Sequence, residues 1–508
     1  MSNLPPIVKT TQEIRIVELE RQLHWATLQI AVLQEQLRKQ RIATFGPHSE
    51  NLSNLQMELL ELEPSVSQQE VEAEAAREPL PQKPQRTTKA HPGRQKLPDH
   101  LPRVIEEIVC PPQACQCAAC GVEMPVIGHD ESEQLDIEPT RYFVKVTRRE
   151  KRACRNCAEA TVVAATLAPR IIEKGLVSDR IVIDTVVGKY SDHLPLYRQA
   201  AMLEREAGLE ISRATMDGWV MRVGELLIPV AGAMRAELLQ QPYLQADETT
   251  VPVQMQDKRG SNHQAYLWQY GKPGGETVFD FCLSRGREGP KKFLGNWGGI
   301  LQTDGYAAYD KIGGPELVYA ACWTHARRKF VEAVKLNPKD VDATNMVVRM
   351  DALFLIDEGA RKQGLTMEQR HALRKQESVV WVDEIHHVCR VLARKVLPSS
   401  AVGQAVKYTL GLWSRLTCFL DHPEVELSTN LAENSFRPIA VGRKNWLHIG
   451  SVEAGPKVAA ILTVVESCRR LKVPVKDYLA QVLPGMASRT LTAVKTLTPG
   501  KWAAGRLG

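Results

Sequence analysis

The chain has 508 residues, enough for about three domains of typical size. It is 44% hydrophobic and 24% charged, with a mild net charge of +6, which is ordinary for a soluble protein. Residues 1–12 lack the apolar segment of a signal peptide, and no apolar run reaches the ~18–20 residues that span a bilayer, so we expect a cytoplasmic protein without a membrane partner.

The first predicted element is an N-terminal coiled coil. Apolar residues recur at heptad spacing over 12–42, with charged and Gln residues between them. One seam position holds Ile16, Leu23, Ile30 and Leu37, and the other holds Leu19, Ala26 and Leu33. We therefore predict a coiled-coil, leucine-zipper-like region over 12–62 that pairs with a second helix. The alternative is an amphipathic helix that packs on its own domain.

A linker is predicted over 63–103. Seven prolines lie between Pro64 and Pro102 and break any long helix. Apolar content drops and Lys and Arg side chains make the segment basic, so it can contact DNA without a fixed fold.

A zinc-binding domain is predicted over 104–162. In a cytoplasmic protein the 11 cysteines are better explained as thiols or metal ligands than as disulfides. Two C-x-x-C pairs, Cys117 with Cys120 and Cys154 with Cys157, have the spacing of a tetrahedral thiolate site for one structural zinc ion. Unliganded buried cysteines or a redox motif are the alternatives. The roles of Cys110 and Cys115 stay open, because Cys115 can replace Cys117.

Residues 163–240 form a helical region. Two helix patterns surround Gly208, and Ser212 is a plausible N-cap for the second. This arrangement is typical of a helix-turn-helix, whose second helix would enter a major groove of DNA. A plain helical hairpin is the alternative.

The predicted catalytic domain covers 241–450, and a helical region follows over 451–508. Short strand-like runs, a helix, a further strand, and then a strand and a helix give the order of a ribonuclease-H-like core. The segment 336–425 lacks strand alternation and is interpreted as a helical insertion. The predicted fold class is therefore a multidomain α+β and α/β protein, whose core is preceded by the coiled coil, the zinc module and the helical DNA-binding region.

Three carboxylates are the candidate catalytic residues. Asp247 and Asp304 follow apolar, strand-like runs, and Glu433 opens a helix-like segment. Carboxylates from distant segments can hold hard divalent cations, and a pair of such cations clamps both sides of a phosphoryl displacement. Turn or capping roles are the alternatives, including a capping box between Asn430 and Glu433. Glu248 is a competing ligand, but strand neighbours point to opposite faces, so only one of the two can face the site.

Basic and aromatic residues near these carboxylates are the candidate DNA contacts. They are Arg327, Arg328 and Lys329 in the HARRK segment, and Arg437, Arg443, Lys444 and Trp446 after Glu433. For Trp446, core packing is the competing interpretation to base stacking. Cys322 and His325 have a C-x-x-H spacing without a second pair nearby to complete a zinc site, and their role is open.

The chain resembles the insertion sequence 66 family of transposases, which are bacterial DDE recombinases. The resemblance covers nearly the whole length and rests on motifs in the family's order. They are FGPHSENL, GHDESEQLDIEPTRYFV, KYSDHLPLYRQ, ADETTVPV, LQTDGYAAYD, CWTHARRKF, GRKNWLHIGS and VKDYLAQVL.

The resemblance implies metal-dependent cleavage at the ends of an insertion element, followed by attack of the freed 3′ hydroxyl on target DNA. It assigns Asp247, Asp304 and Glu433 as the triad that holds two magnesium or manganese ions. It implies a homo-oligomer on DNA, accessory proteins encoded by the same element, and association with the nucleoid when the protein binds DNA. Asn434 and His448 stand where the family usually has Arg and Phe. A DNA-binding protein without catalysis and a nuclease of the same fold are the competing functions.

Overall fold

A computed structural model describes residues 141–152, 163–255 and 261–507, together with six helical positions between Leu19 and Leu37. All four predicted zinc ligands, Cys117, Cys120, Cys154 and Cys157, lie outside the described residues, as do Cys110, Cys115 and the linker. Five of the six N-terminal positions are heptad seam residues with exposed apolar side chains: Leu19, Leu23, Ile30, Leu33 and Leu37. The pairing of this segment with a second helix stays a prediction.

Two short strands, β1 (Lys151–Arg152) and β2 (Val163–Ala164), pair antiparallel. The main sheet has five strands in the order β5-β4-β3-β6-β7. β5 with β4 and β4 with β3 are antiparallel, whereas β3 with β6 and β6 with β7 are parallel. The strands are β3 (Tyr243–Val253), β4 (His263–Gly271), β5 (Thr277–Cys282), β6 (Ile300–Thr303) and β7 (Val318–Ala321).

The parallel half of the sheet is buried on both faces. All four residues of β6 are buried, as expected for a parallel strand that is covered by helices on both sides. Helix α4 (Glu288–Leu294) makes the connection from β5 to β6. Many helices pack around this mixed α/β core.

The helices before the sheet are α1 (Asp179–Tyr190), α2 (Leu196–Ala207) and α3 (Arg213–Leu238). Gly208 ends α2 in the left-handed conformation at φ 63°, which favours glycine. The predicted cap of α3 is confirmed, because Ser212 Oγ accepts a hydrogen bond from Thr215 N at 3.1 Å. Beyond its first turn, α3 buries apolar side chains along its whole length, so most of this helix belongs to the core.

Helix α12 (Ala454–Arg470) covers the open side of β5 and also packs against α3. Thr463 Oγ1 accepts from Phe279 N at 2.9 Å, and Ser467 Oγ accepts from Thr277 N at 3.0 Å. Ser467 Oγ also donates to Thr277 O at 2.9 Å. Helix hydroxyls therefore satisfy backbone groups of β5 that have no strand partner.

A helical segment follows the sheet, and its apolar core around Trp323, Phe330, Met346 and Ile385 is continuous with buried residues of β3, β6 and β7. It consists of α5 (Trp323–Leu336), α6 (Val341–Lys362), α7 (Met367–Leu373), the π-helical turn Arg374–Ser378, α8 (Val379–Lys395), α9 (Ala401–Gly411) and α10 (Trp413–Leu416). The chain then returns to the sheet through α11 (Asn430–Trp446).

The C-terminal region contains α13 (Val475–Val482), the last clear helix in the sequence pattern. Two further short helices follow it, α14 (Leu491–Val494) and α15 (Pro499–Leu507). Trp502 of α15 donates through Nε1 to Gln481 Oε1 at 3.0 Å, so tertiary contacts order this tail. Among the described residues, no helix is long and apolar enough to cross a membrane.

A buried ion-pair network fastens the helical segment to the loop before α11. The guanidinium of Arg374 is fully buried and forms a bidentate pair with Asp357, at 2.7 and 2.9 Å. It also donates to the carbonyl oxygens of Pro423 at 3.3 Å and Val425 at 2.9 Å. This single side chain therefore joins the π-helical turn, α6 and the loop over 421–429.

We expect Arg374→Ala to lower the free energy of unfolding by about 3–5 kcal/mol, because it removes the bidentate partner of a buried carboxylate and leaves Asp357 only the longer contacts with Arg361 and Arg370, at 3.3 and 3.8 Å. Urea denaturation measures this change. The neighbouring Lys375→Ala is the matched control, since its pair with Asp421 is exposed and should contribute only about 0–1 kcal/mol. Equal losses from the two variants would contradict the importance of the buried pair.

Candidate functional site

The sheet register brings the two aspartates together. Strands β3 and β6 are parallel, and Gln245 pairs with Gln302. Continuing that register by two residues places Asp247 beside Asp304, which directly follows β6. Asp247 follows an apolar run in the sequence, but the strand continues through it to Val253 because β4 pairs with β3 on the other side.

Glu433 comes from the first turn of α11. Its Oε2 accepts a hydrogen bond from Arg328 Nη2 at 3.2 Å, and its Oε1 lies 3.5 Å from His325 Nε2. Arg328 and His325 both belong to α5, one turn apart. The alternative capping box between Asn430 and Glu433 does not form, because Thr429 is the N-cap and its side chain makes no capping hydrogen bond.

A set of buried polar groups places the segment that leads into α11. Gln245 Nε2 donates to Ser428 O at 2.9 Å, and Gln302 Nε2 donates to Glu426 O at 2.5 Å. Tyr243 Oη accepts from Glu426 N at 3.2 Å. Two further bonds come from the start of α5: Trp323 N donates to Leu427 O at 2.9 Å, and Cys322 Sγ accepts from Thr429 N at 3.3 Å.

Electrostatics shows that the three carboxylates influence one another. Burial and, to a smaller extent, the negative charges of Glu248, Asp304 and Glu433 together raise the pKa of Asp247 to about 7, against a lowering hydrogen bond from Glu248 N. Asp304 and Glu433 therefore lie close enough to Asp247 for their charges to act on it.

Hydrogen bonds within the protein engage both carboxylate oxygens of Glu248. Its Oε1 accepts from Arg285 Nε and Nη2 at 2.9 and 2.6 Å, and its Oε2 accepts from Tyr309 Oη at 2.8 Å. The guanidinium of Arg285 also lies over the ring of Tyr306, 4.0 Å from its centroid. Because both oxygens of Glu248 are engaged, Asp247 is the better candidate ligand of the two.

The loop after Asp304 is held by the helical segment. Asp304 Oδ1 accepts from Tyr306 N at 2.8 Å, and Tyr408 of α9 donates to the carbonyl oxygen of Asp304. Gly305 has φ 88°, and a Cβ there would lie 2.4 Å from Leu412 Cδ1. Only glycine fits this turn, for both conformational and steric reasons.

The donor set fits hard divalent cations. Carboxylate oxygens are the ligands that magnesium and manganese prefer, and the raised pKa of Asp247 reflects the charge that a cation would neutralise. In the described part of the chain, no three His, Cys, Asp or Glu side chains stand close enough together to hold a metal ion as they are placed.

The candidate DNA contacts on α5 differ in what they already bind. Arg327 is paired with Asp351 of α6, so it joins two helices of the helical segment. Arg328 is engaged by Glu433. Lys329 is exposed beside Glu332 at 3.8 Å and is the residue of this group most open to a phosphate.

The candidate DNA contacts on α11 also differ in whether they are exposed or already bound within the protein. Arg437 and Lys444 are exposed. Arg443 ties α11 to β3 through Thr249 Oγ1 at 3.3 Å and the carbonyl of Thr250. The ring of Trp446 packs against Tyr190, with centroids 6.3 Å apart, which favours the packing interpretation over base stacking.

Several residues of the site were not identified in the sequence. Tyr408 contacts Asp304, and Arg285 and Tyr309 contact Glu248. Nothing in their local patterns signals this, because each contact joins residues more than thirty positions apart. The turn after α11 also contributes: Ile449 N donates to Pro252 O at 2.9 Å, which anchors the His448 segment at the end of β3.

Comparisons with known proteins agree along the chain. Family models match residues 174–457 ("Transposase IS66 family"), 32–105 ("Transposase C of IS166 homeodomain") and 114–158 ("zinc-finger binding domain of transposase IS66"). An uncharacterized protein of Sinorhizobium fredii, y4hP, is 30% identical over 503 residues, covering 93% of this chain and 89% of that protein. A second from the same organism, y4jD, is 32% identical over 429 residues, covering 81% of this chain and 82% of that protein.

We expect Asp247→Asn to stabilise the metal-free protein at pH 8. Because the folded-state pKa of about 7 lies above the ordinary 3.8, wild-type stability falls as pH rises through this interval. Removing the charge should raise the free energy of unfolding by about 1–3 kcal/mol at pH 8 in EDTA. Thermal melts from pH 4 to pH 8 measure the difference.

Magnesium should then raise the Tm of the wild type but not that of Asp247→Asn. Asp351→Asn, which alters an exposed pair elsewhere, is the control and should not stabilise the protein at pH 8. A destabilised Asp247→Asn at pH 8 would contradict the proposed burial of uncompensated charge.

Proposed function

The chain belongs to the IS66 transposase family and is a transposase with DNA-binding domains, and we propose that it is a DDE enzyme. In this proposal it binds the ends of its insertion element, cleaves DNA strands with the help of metal ions, and transfers the 3′ hydroxyl to target DNA. Asp247, Asp304 and Glu433 are the catalytic carboxylates. One observation carries the proposal: the sheet register and the first turn of α11 bring carboxylates from three distant segments near one another, so that Asp304 and Glu433 add to the effect of burial and Glu248 on the pKa of Asp247.

The topology supports a ribonuclease-H-like core. In chain order, the five strands of the sheet are arranged 3-2-1-4-5, with three antiparallel strands followed by two parallel ones. A helix connects the third and fourth strands. Asp247 then lies on the first strand and Asp304 directly after the fourth, which are the positions expected for this fold.

Within this proposal, Asp247, Asp304 and Glu433 would hold two magnesium or manganese ions. Such ions activate an oxygen nucleophile and stabilise the leaving oxygen. The protein contributes the placement: Arg328 and His325 hold the Glu433 carboxylate, while Arg285 engages Glu248. Asn434 replaces a usual Arg beside the site, but it removes no carboxylate ligand.

Exposed cations would hold the DNA backbone. Lys329, Arg437 and Lys444 are exposed on the two helices, α5 and α11, that carry His325, Arg328 and Glu433. Phosphate contacts of this kind orient DNA without reading its sequence. In the helical region 163–240, Arg213 in the first turn of α3 is exposed and would be available to DNA, whereas the apolar side chains of that helix are mostly buried. The zinc domain would provide a further contact, and a homo-oligomer with element-encoded accessory proteins would assemble on the DNA.

We expect Asp247→Asn, Asp304→Asn and Glu433→Gln each to lower cleavage of a labelled element end in magnesium by about 100-fold or more, as when a group that stabilises transition-state charge is lost. Glu248→Gln is the matched control and should lose less than about 10-fold, because its amide oxygen still accepts hydrogen bonds.

The same assay separates the competing functions. Binding of element ends by the wild type without cleavage would indicate a DNA-binding protein without catalysis. Cleavage without joining of the 3′ end to target DNA would indicate a nuclease. Wild-type cleavage rates in the two aspartate variants would reject the proposed mechanism.

We expect the purified full-length chain to contain about one equivalent of zinc. Cys117→Ser and Cys154→Ser should each lose it, measured by elemental analysis, whereas Cys468→Ser, at a buried thiol of α12, should retain it. Loss of zinc in Cys115→Ser with retention in Cys117→Ser would show that Cys115, and not Cys117, is the zinc ligand. A wild-type content below about half an equivalent would exclude a structural zinc site.

A further inference from the structure

The C-x-x-H motif lies against the first turn of the helix that carries Glu433. Cys322 is the N-cap residue of α5 and is fully buried, and His325 follows within the first turn. Among the described residues, no cluster of three metal-ligating side chains includes this pair, so a zinc site is not supported here. Its two side chains instead contact two points of one segment, Thr429 and Glu433.

Cys322 fixes the backbone at the start of α11. Its Sγ accepts from Thr429 N at 3.3 Å, and Thr429 is the N-cap of that helix. Thr429 O in turn accepts from Glu433 N at 3.0 Å. The thiol is therefore two hydrogen bonds away from the backbone of Glu433, and it determines where the first turn of α11 begins.

His325 acts on the side chain of Glu433. Its Nε2 lies 3.5 Å from Glu433 Oε1, while Arg328 contacts the other oxygen at 3.2 Å. Within the motif, the Cys322 thiol is a second polar partner of the His325 ring, so Cys322 and Glu433 together orient it. Without these contacts, the negative charges of Asp247 and Asp304 would push the Glu433 carboxylate away from the shared region.

We propose that Cys322 and His325 are positioning residues for Glu433: the thiol sets the first turn of α11, and the imidazole sets the direction of the carboxylate. This inference rests on the proposed function, because it assumes that Glu433 is a metal ligand. Residues that orient metal ligands typically change metal affinity by about 10–100-fold when they are removed. The expected signature is therefore a change in metal dependence rather than a loss of folding.

The test is a magnesium titration of element-end cleavage by the full-length protein. His325→Ala should need about 10-fold more magnesium than the wild type for half-maximal cleavage. Manganese should restore part of the lost activity, because magnesium demands more regular octahedral geometry. The matched control is His371→Ala, whose ring nitrogen contacts the carbonyl oxygen of Leu420 at 2.7 Å in the helical segment. It should leave the magnesium midpoint unchanged.

Substitutions of Cys322 test the backbone contact separately. Cys322→Ala removes the acceptor and should shift the magnesium midpoint in the same direction as His325→Ala. Cys322→Ser keeps an acceptor for Thr429 N and should restore most of the wild-type metal dependence. Cys389→Ala, at another fully buried thiol, is the control for lost volume and should lower the Tm without moving the midpoint.

The outcomes separate the inference from the proposed function. If the wild type cleaves but His325→Ala and Cys322→Ala keep its magnesium midpoint within about threefold, well below the expected change, the inference is wrong. If the wild type does not cleave in magnesium, the proposed function fails. The magnesium-induced rise in Tm then decides the inference: an equal rise in the wild type and His325→Ala would overturn it, and a smaller rise in the variant would support it.

Discussion

The site depends on four consecutive residues, 426–429, whose backbone is held in the interior. Buried peptide groups must find hydrogen-bond partners, and here those partners are side chains of the sheet and the start of α5. Gln245 and Gln302 are almost completely buried, so burying each side-chain amide without the carbonyl oxygens that it contacts would cost free energy. This reciprocal need fixes the direction in which α11 starts. The position of Glu433 is therefore decided by amides of β3 and β6, the same two strands that carry or precede the aspartates.

The helical segment between the second aspartate and Glu433 contributes to the site as well as separating its parts. The gap from Asp304 to Glu433 is 129 residues. Within it, Tyr408 contacts the backbone of Asp304, and Arg374 contacts the loop that leads to α11. The helical segment therefore contacts the loop after Asp304 and the loop before α11, which are the two points of the chain that it connects. The apolar core of the segment makes those contacts rigid. The segment therefore fixes the distance between the two carboxylates that it separates in sequence.

Local patterns in the sequence predicted the elements well and the long-range contacts poorly. The strand and helix that end the core, β7 and α5, and the Ser212 cap follow from apolar periodicity and capping chemistry, which are properties of neighbouring residues. The choice of Asp247 over Glu248 agrees with the engagement of Glu248 by Arg285 and Tyr309, but those partners carry no local signal. Gln245 and Gln302 are polar residues within apolar runs, and their purpose emerges only once the returning segment is in place.

The sheet is closed at both edges. The hydroxyls of Thr463 and Ser467 occupy backbone groups of β5, and α10 with the turn Thr417–Leu420 covers β7. An uncovered edge strand can recruit a strand from another chain, which is a common route to both oligomers and aggregates. In the main sheet of the described residues, these contacts occupy both edges, so another chain could pair with β5 or β7 only by displacing them.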